Sequence, residues 1–267
     1  LPRHRRYAMT KVRVIATLLF RGINLVKGRS FDDGRTVGTP LQAINVFNMR
    51  EVDELVLLDI GASRTGRGPD VAEVATWSQE CFVPLSVGGG ITHVGQIEQL
   101  LKAGADKVVI NSGAYGSPQL VKEASDFFGN QCITAGIDFK RALSGEFVCW
   151  SRCGAVDTGR SIADHARALE QSGAGEILLT SIVRDGTIEG YEHDAIAAVA
   201  NAVSIPVIAS GGASSYQDML QAVQSGASAV SAGAIYLFTE ATPKGAKLYL
   251  REHGVPVRFP KPQGLVA

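Results

Sequence analysis

The chain has 267 residues, 45% of them hydrophobic, with 26 basic side chains against 26 acidic ones. It holds no apolar run of the roughly 18 residues that a membrane span needs, and its zero net charge lacks the basic excess on which nucleic-acid binding rests. Four scattered cysteines, Cys81, Cys132, Cys149 and Cys153, do not make a disulfide framework and suit a reducing, cytoplasmic setting. With no second Cys or His pair beside Cys149 and Cys153, no metal or cofactor is expected.

In chain order, residues 1–8 ("LPRHRRYA") are basic, lack periodicity and precede Met9, so they read as an extension outside the fold. A single domain is expected over 9–258, followed by a tail over 259–267. Strands are expected at 12–18, 54–58, 83–87, 106–110, 132–137, 176–180, 206–209 and 227–232. Each is mostly apolar, as strands covered on both faces are. Amphipathic segments such as "VGQIEQLLKAG" and "SYQDMLQAVQSGA" fall between them, with glycine marking the helix ends. The polar stretch after strand one, "NLVKGRSF", reads as a long loop.

The chain also repeats itself. "DELVLLDIGAS" at 53 matches "GEILLTSIVRD" at 175, "VPLSVGGGI" at 83 matches "IPVIASGGA" at 205, and "GADKVVINSGA" at 104 matches "GASAVSAGAIY" at 226, all at one spacing of 122 residues. Eight alternating strands and helices in two like halves define an α/β fold, a (β/α)8 TIM barrel with an internal two-fold half-barrel repeat. An open doubly wound sheet competes, but does not explain four strands followed by four more of the same kind. "IATLLFRG" at 15 likewise matches "TAGIDFKR" at 134, which sets Leu19 where the second half has Asp138.

Active sites of such barrels form at the carboxyl ends of the strands. There, Gly90, Asn111 and Ser112 in one half, and Asp185, Gly186, Gly211, Gly212 and Gly233 in the other, offer two turns able to cradle phosphate oxygens through exposed N–H groups. A ligand with a phosphate at each end is expected; the alternative is that these glycines only permit tight turns. The strand-end carboxylates Asp59, Asp138 and Asp185 are candidates for acid–base work or for ordering loops. Lys27, on the loop after strand one, is expected to reach over the mouth as a lid charge. At the opposite end, Arg13, Glu54, Lys107 and Glu176 begin strands one, two, four and six with alternating signs. A closed ring of salt bridges follows, either a stabilising feature or a gate.

Together "DELVLLDIGAS", "VGGGI", "GADKVVINS", "GIDFKR", "GAGEILLTSIVRDGT" and "IPVIASGGA" resemble the HisF family, the cyclase subunit of imidazole glycerol phosphate synthase, over residues 11–257. The resemblance implies a glutaminase (HisH-like) subunit docked on the N-terminal face of the barrel, with Asp106 at that interface. It makes Arg13, Glu54, Lys107 and Glu176 the gate of an ammonia passage, and Lys27 and Asp138 catalytic groups acting on a phosphorylated small molecule. The family's ring closure uses two opposed aspartates, and here Leu19 replaces the first. "NMREVDELVLLDIGASRTGRGPD" and "ECFVPLSVGGGI" are also similar to the family's acetamidino-modification branch. That branch supports amidation of surface-polysaccharide aminosugars alongside a sugar amidotransferase. The leading expectation is therefore ammonia channelling for such amidation, with the histidine-pathway cyclase, or a non-catalytic scaffold for the glutaminase, as alternatives.

Overall fold

Every apolar run expected as a barrel strand folds as one, and two further hairpins appear. The computed structural model describes residues 11–32, 34–117 and 119–259. Its strands are β1 (Arg13–Arg21), β2 (Asn24–Lys27), β3 (Arg35–Gly38), β4 (Glu54–Asp59), β5 (Leu85–Gly88), β6 (Lys107–Ile110), β7 (Ile133–Arg141), β8 (Phe147–Ser151), β9 (Val156–Ser161), β10 (Glu176–Ser181), β11 (Val207–Ser210) and β12 (Ala229–Ala232). Strands β1, β4, β5, β6, β7, β10, β11 and β12 pair in parallel in that order, and β12 returns to β1, closing the barrel. Helices Pro40–Met49, Val71–Gln79, Val94–Lys102, Gln119–Phe128, Ile162–Gln171, His193–Ala202, Tyr216–Gln224 and Pro243–Glu252 connect or follow these strands. Several start on side-chain caps: Thr39 forms a capping box with Gln42, and Asp70, Ser215 and Thr242 each accept a first-turn N–H.

Alternation along each strand makes two cores. Val14, Ala16, Leu18 and Phe20 of β1 face outward to the helices. Ile15 faces inward and joins Val56, Val109, Leu178, Ile208 and Ala229 in a separate apolar cluster filling the barrel. Within the stretch read as a loop after strand one, Asn24–Lys27 form β2, which pairs antiparallel with β1 and with the later β3. The same device recurs at β7, which continues into antiparallel β8 and β9. Register confirms the repeat at the position of interest: Leu19 pairs with Leu58 and with Val26 of the first hairpin, whereas Asp138 pairs with Thr180 and with Trp150 of the second. The expectations for residues 1–8 and for the tail past Phe259 lie outside the described residues; Phe259 itself stacks beneath Arg251, 4.4 Å from its ring centroid.

Candidate functional site

Side chains at alternate positions line the barrel axis in tiers, from the N-terminal end upward. The lowest tier is charged. Arg13 donates to Glu54 Oε2 and Glu176 Oε2, each at 2.7 Å. Lys107 Nζ reaches Glu54 Oε1 at 3.1 Å and Glu176 Oε1 at 2.8 Å. The four residues thus close a ring in which two cations and two carboxylates alternate. Burial opposes ionisation of Glu176, yet Arg13 and Lys107 outweigh it and hold its carboxyl below the usual range. Two hydroxyls that the sequence did not single out complete the ring: Ser86 donates to Glu54 Oε1 at 2.9 Å and Thr134 to Glu176 Oε1 at 2.8 Å. Alternation on β5 and β7 was the signal that could have found them. Above this ring lies the apolar tier of Ile15, Val56, Val109, Leu178, Ile208 and Ala229.

At the carboxyl ends of the strands the barrel opens into a cavity of about 1030 Å³, counting space open to solvent. Leu19 and Asp138 both line it, as do Asp59, Gly90, Asn111, Ser112 and Asp185. The three carboxylates differ in their partners. Asp59 Oδ1 accepts from the N–H groups of Gly61 and Ala62, while Oδ2 takes Arg67 at 2.5 Å, so this group orders its own loop. Asp185 faces Lys27 at 3.2 Å. Asp138 accepts the carboxamide N–H of Asn111 at 2.7 Å. Burial, with the nearby Asp185 charge, pushes its carboxyl up to about 7 despite that hydrogen bond. A carboxylic acid poised near neutrality can give or take a proton at working pH. Leu19, at the matching place, can do neither.

Lys27 departs from the expected lid. It lies on β2 with its side chain buried against Asp185, because the hairpin turns it inward over the barrel rather than out to solvent. A smaller cavity of about 320 Å³ beside it is lined by Lys27, Asp185, Gly186, Gly211, Gly212 and Gly233. The two expected anion turns therefore face two adjoining spaces. Gly90 and Gly212, one repeat apart, both hold positive φ, 71° and 104°. A Cβ there would stand 2.3 Å from the Arg67 and Gly190 carbonyls respectively, so loop packing demands glycine with or without a ligand. Ser112 Oγ accepts the Arg152 N–H at 2.9 Å and keeps its proton to donate. At the opposite end, the Asp106 carboxylate accepts the Leu85 N–H at 2.8 Å, a part-buried tie between the start of β5 and the residue before β6. Among the described residues no group of three or more His, Cys, Asp or Glu is placed to hold a metal ion, and no helix is long and apolar enough to cross a membrane.

A closed barrel with carboxylates in a cavity at the carboxyl ends of its strands is the arrangement of (β/α)8 enzymes, whose sites are built from the βα loops. The family model described as "Histidine biosynthesis protein" matches residues 14–242. The imidazole glycerol phosphate synthase subunit HisF of Dictyoglomus thermophilum is 41% identical over 251 residues, covering 94% of this chain and all of that protein. The subunit of the same name from Hyphomonas neptunium is 43% identical, covering 94% of this chain and 99% of its own length. The chain thus belongs to the HisF family of histidine biosynthesis proteins, an enzyme family.

Proposed function

We propose that the chain is the ammonia-using synthase subunit of a glutamine amidotransferase complex. The observation that carries this reading is the alignment of three tiers on one axis: a neutral charged ring, an apolar interior, and a cavity holding an acid–base group at its upper end. Ammonia released by a glutaminase on the N-terminal face, at Asp106, enters through the ring and rises to a ligand held by a phosphate at each turn. Asp138 moves protons there, and Lys27 places its charge between the two cavities. In the complex reconstituted with a HisH-like glutaminase, Lys107→Met is expected to raise the ratio of glutamine consumed to product formed. An unchanged ratio makes the ring architecture only.

The names of the relatives favour formation of imidazole glycerol phosphate as the reaction. Leu19 favours a second reading, the acetamidino branch, in which ammonia passes on to a sugar amidotransferase and ring closure is lost. Removing one positioned acid or base costs about 10²–10⁴ in rate. Under the second reading, turnover of the histidine-pathway substrate with added ammonium falls at least about a hundredfold below that of an aspartate-bearing relative, and the chain does not complement a strain lacking its cyclase subunit. Complementation at ordinary growth rate decides for the first.

A further inference from the structure

Between the apolar tier and Asp138 runs a layer of hydroxyls that the acid–base reading leaves unused. Thr17 Oγ1 and Ser231 Oγ lie 2.5 Å apart, and Ser231 is fully buried. Thr17 and Ser210 line both cavities, Ser231 lines the smaller one, and Thr180, the register partner of Asp138, lines the larger. The Ser231 carbonyl is held from outside the barrel by the Tyr191 hydroxyl at 2.9 Å, which fixes the strand that presents the serine.

Two hydroxyls bring two protons and four lone pairs, and the bond between them uses one of each. What remains is one O–H donor and three acceptor positions in an interior where unmet polar groups are costly. A small ligand that answers both needs has several N–H donors and a lone pair. Neutral ammonia has them. Ammonium has no lone pair to receive the O–H, and the charged groups that share this lining do not offer it a free counter-charge: Asp185 is paired with Lys27, and Asp138 is held toward its neutral form by burial.

We propose that the Thr17–Ser231 pair, flanked by Thr180 and Ser210, is a binding site for neutral ammonia at the upper end of the barrel axis. It holds the nucleophile at the foot of the cavity that contains Asp138 and selects against the protonated form. This deepens the proposed ammonia delivery and depends on it for its purpose, but its test needs neither glutaminase nor acceptor.

The test is a methyl NMR titration of the whole chain carrying ¹³C-methyl threonine. Ammonium chloride is added above the ammonium pKa and, separately, well below it, with sodium chloride as the ionic control. The Thr17 and Thr180 methyl signals are expected to shift saturably only at the higher pH. Ser231→Ala is expected to move the midpoint up by roughly tenfold, the scale of one lost hydrogen bond. Should that variant fail to fold, Thr17→Val is read through the Thr180 methyl by the same criterion. A response that never saturates, an equal response at the lower pH, or an unchanged midpoint in the variants overturns the site. A flat titration beside glutamine-coupled turnover defeats this site alone, whereas a saturable titration with no coupling defeats the delivery reading and leaves the site standing.

Discussion

Leu19 and Asp138 stand at one register position in the two halves, and only one of them titrates. Leu19→Asp would return a second carboxylate to the cavity. Turnover of the histidine-pathway substrate with ammonium is expected to rise at least about tenfold, a fraction of the general acid–base range; steady-state kcat checks it. Asp138 itself strains the fold when charged. Its folded pKa of about 7 lies above the ordinary 3.8, so the native state holds the proton more tightly than the unfolded chain does. Stability from this group is full below about pH 4 and is lost as pH rises toward 7. Asp138→Asn should therefore stabilise the fold at and above pH 7 by up to about 4 kcal/mol, at about 1.4 kcal/mol per pKa unit, and so raise the melting temperature there. It should change little near pH 4. Thermal melts across that range, compared between the two proteins, measure the difference.

At the scale of elements, helix Ile162–Gln171 carries a buried histidine, His165. His165 stacks on Tyr115 with ring centroids 4.5 Å apart. Burial, aided by the Arg160 charge, lowers its pKa to about 4. A histidine held neutral in the fold contributes stability above its unfolded pKa near 6.5 and loses it as pH falls through 4. His165→Phe should flatten the stability profile between those limits by up to about 3 kcal/mol relative to the parent, read from urea midpoints at matched pH. The ring offers a second element-scale prediction. Lys107→Met leaves two carboxylates facing one arginine, and breaking a buried pair costs about 3–5 kcal/mol. Lys107 is 18% exposed, which places the expected loss at the lower end. Lys107→Arg should keep most of the stability, and chemical denaturation measures both variants.

Across the whole molecule, the barrel strands were legible because burial on both faces writes itself as short apolar runs, and the repeat was legible because three motifs recur at one spacing. The hairpins were not. Val156–Ser161 (β9) is almost wholly exposed, and the polar residues of β2 and β3 carry the composition of a loop; their strand form comes from continuing β1 and β7, a tertiary cause that local propensity does not encode. The same hairpin moved Lys27 from an expected lid to a buried ion pair. The charged ring was legible from signs and spacing, and alternation could have set Ser86 and Thr134 on the inner face, but the meeting of Thr17 with Ser231 was not legible, since it arises only when barrel closure brings β1 beside β12.

That ring has a bearing on how the two halves go together. Arg13, Glu54 and Lys107 belong to the first half and Glu176 alone to the second, with Ala229 at the place equivalent to Lys107. Two copies of the first half would gather four cations around two carboxylates at the base of the axis. Two copies of the second would set a pair of glutamates against each other with no cation between them. Only the unlike halves neutralise one another, so although their backbones are near-duplicates, the electrostatics at the foot of the barrel admit the hybrid and penalise both symmetric assemblies.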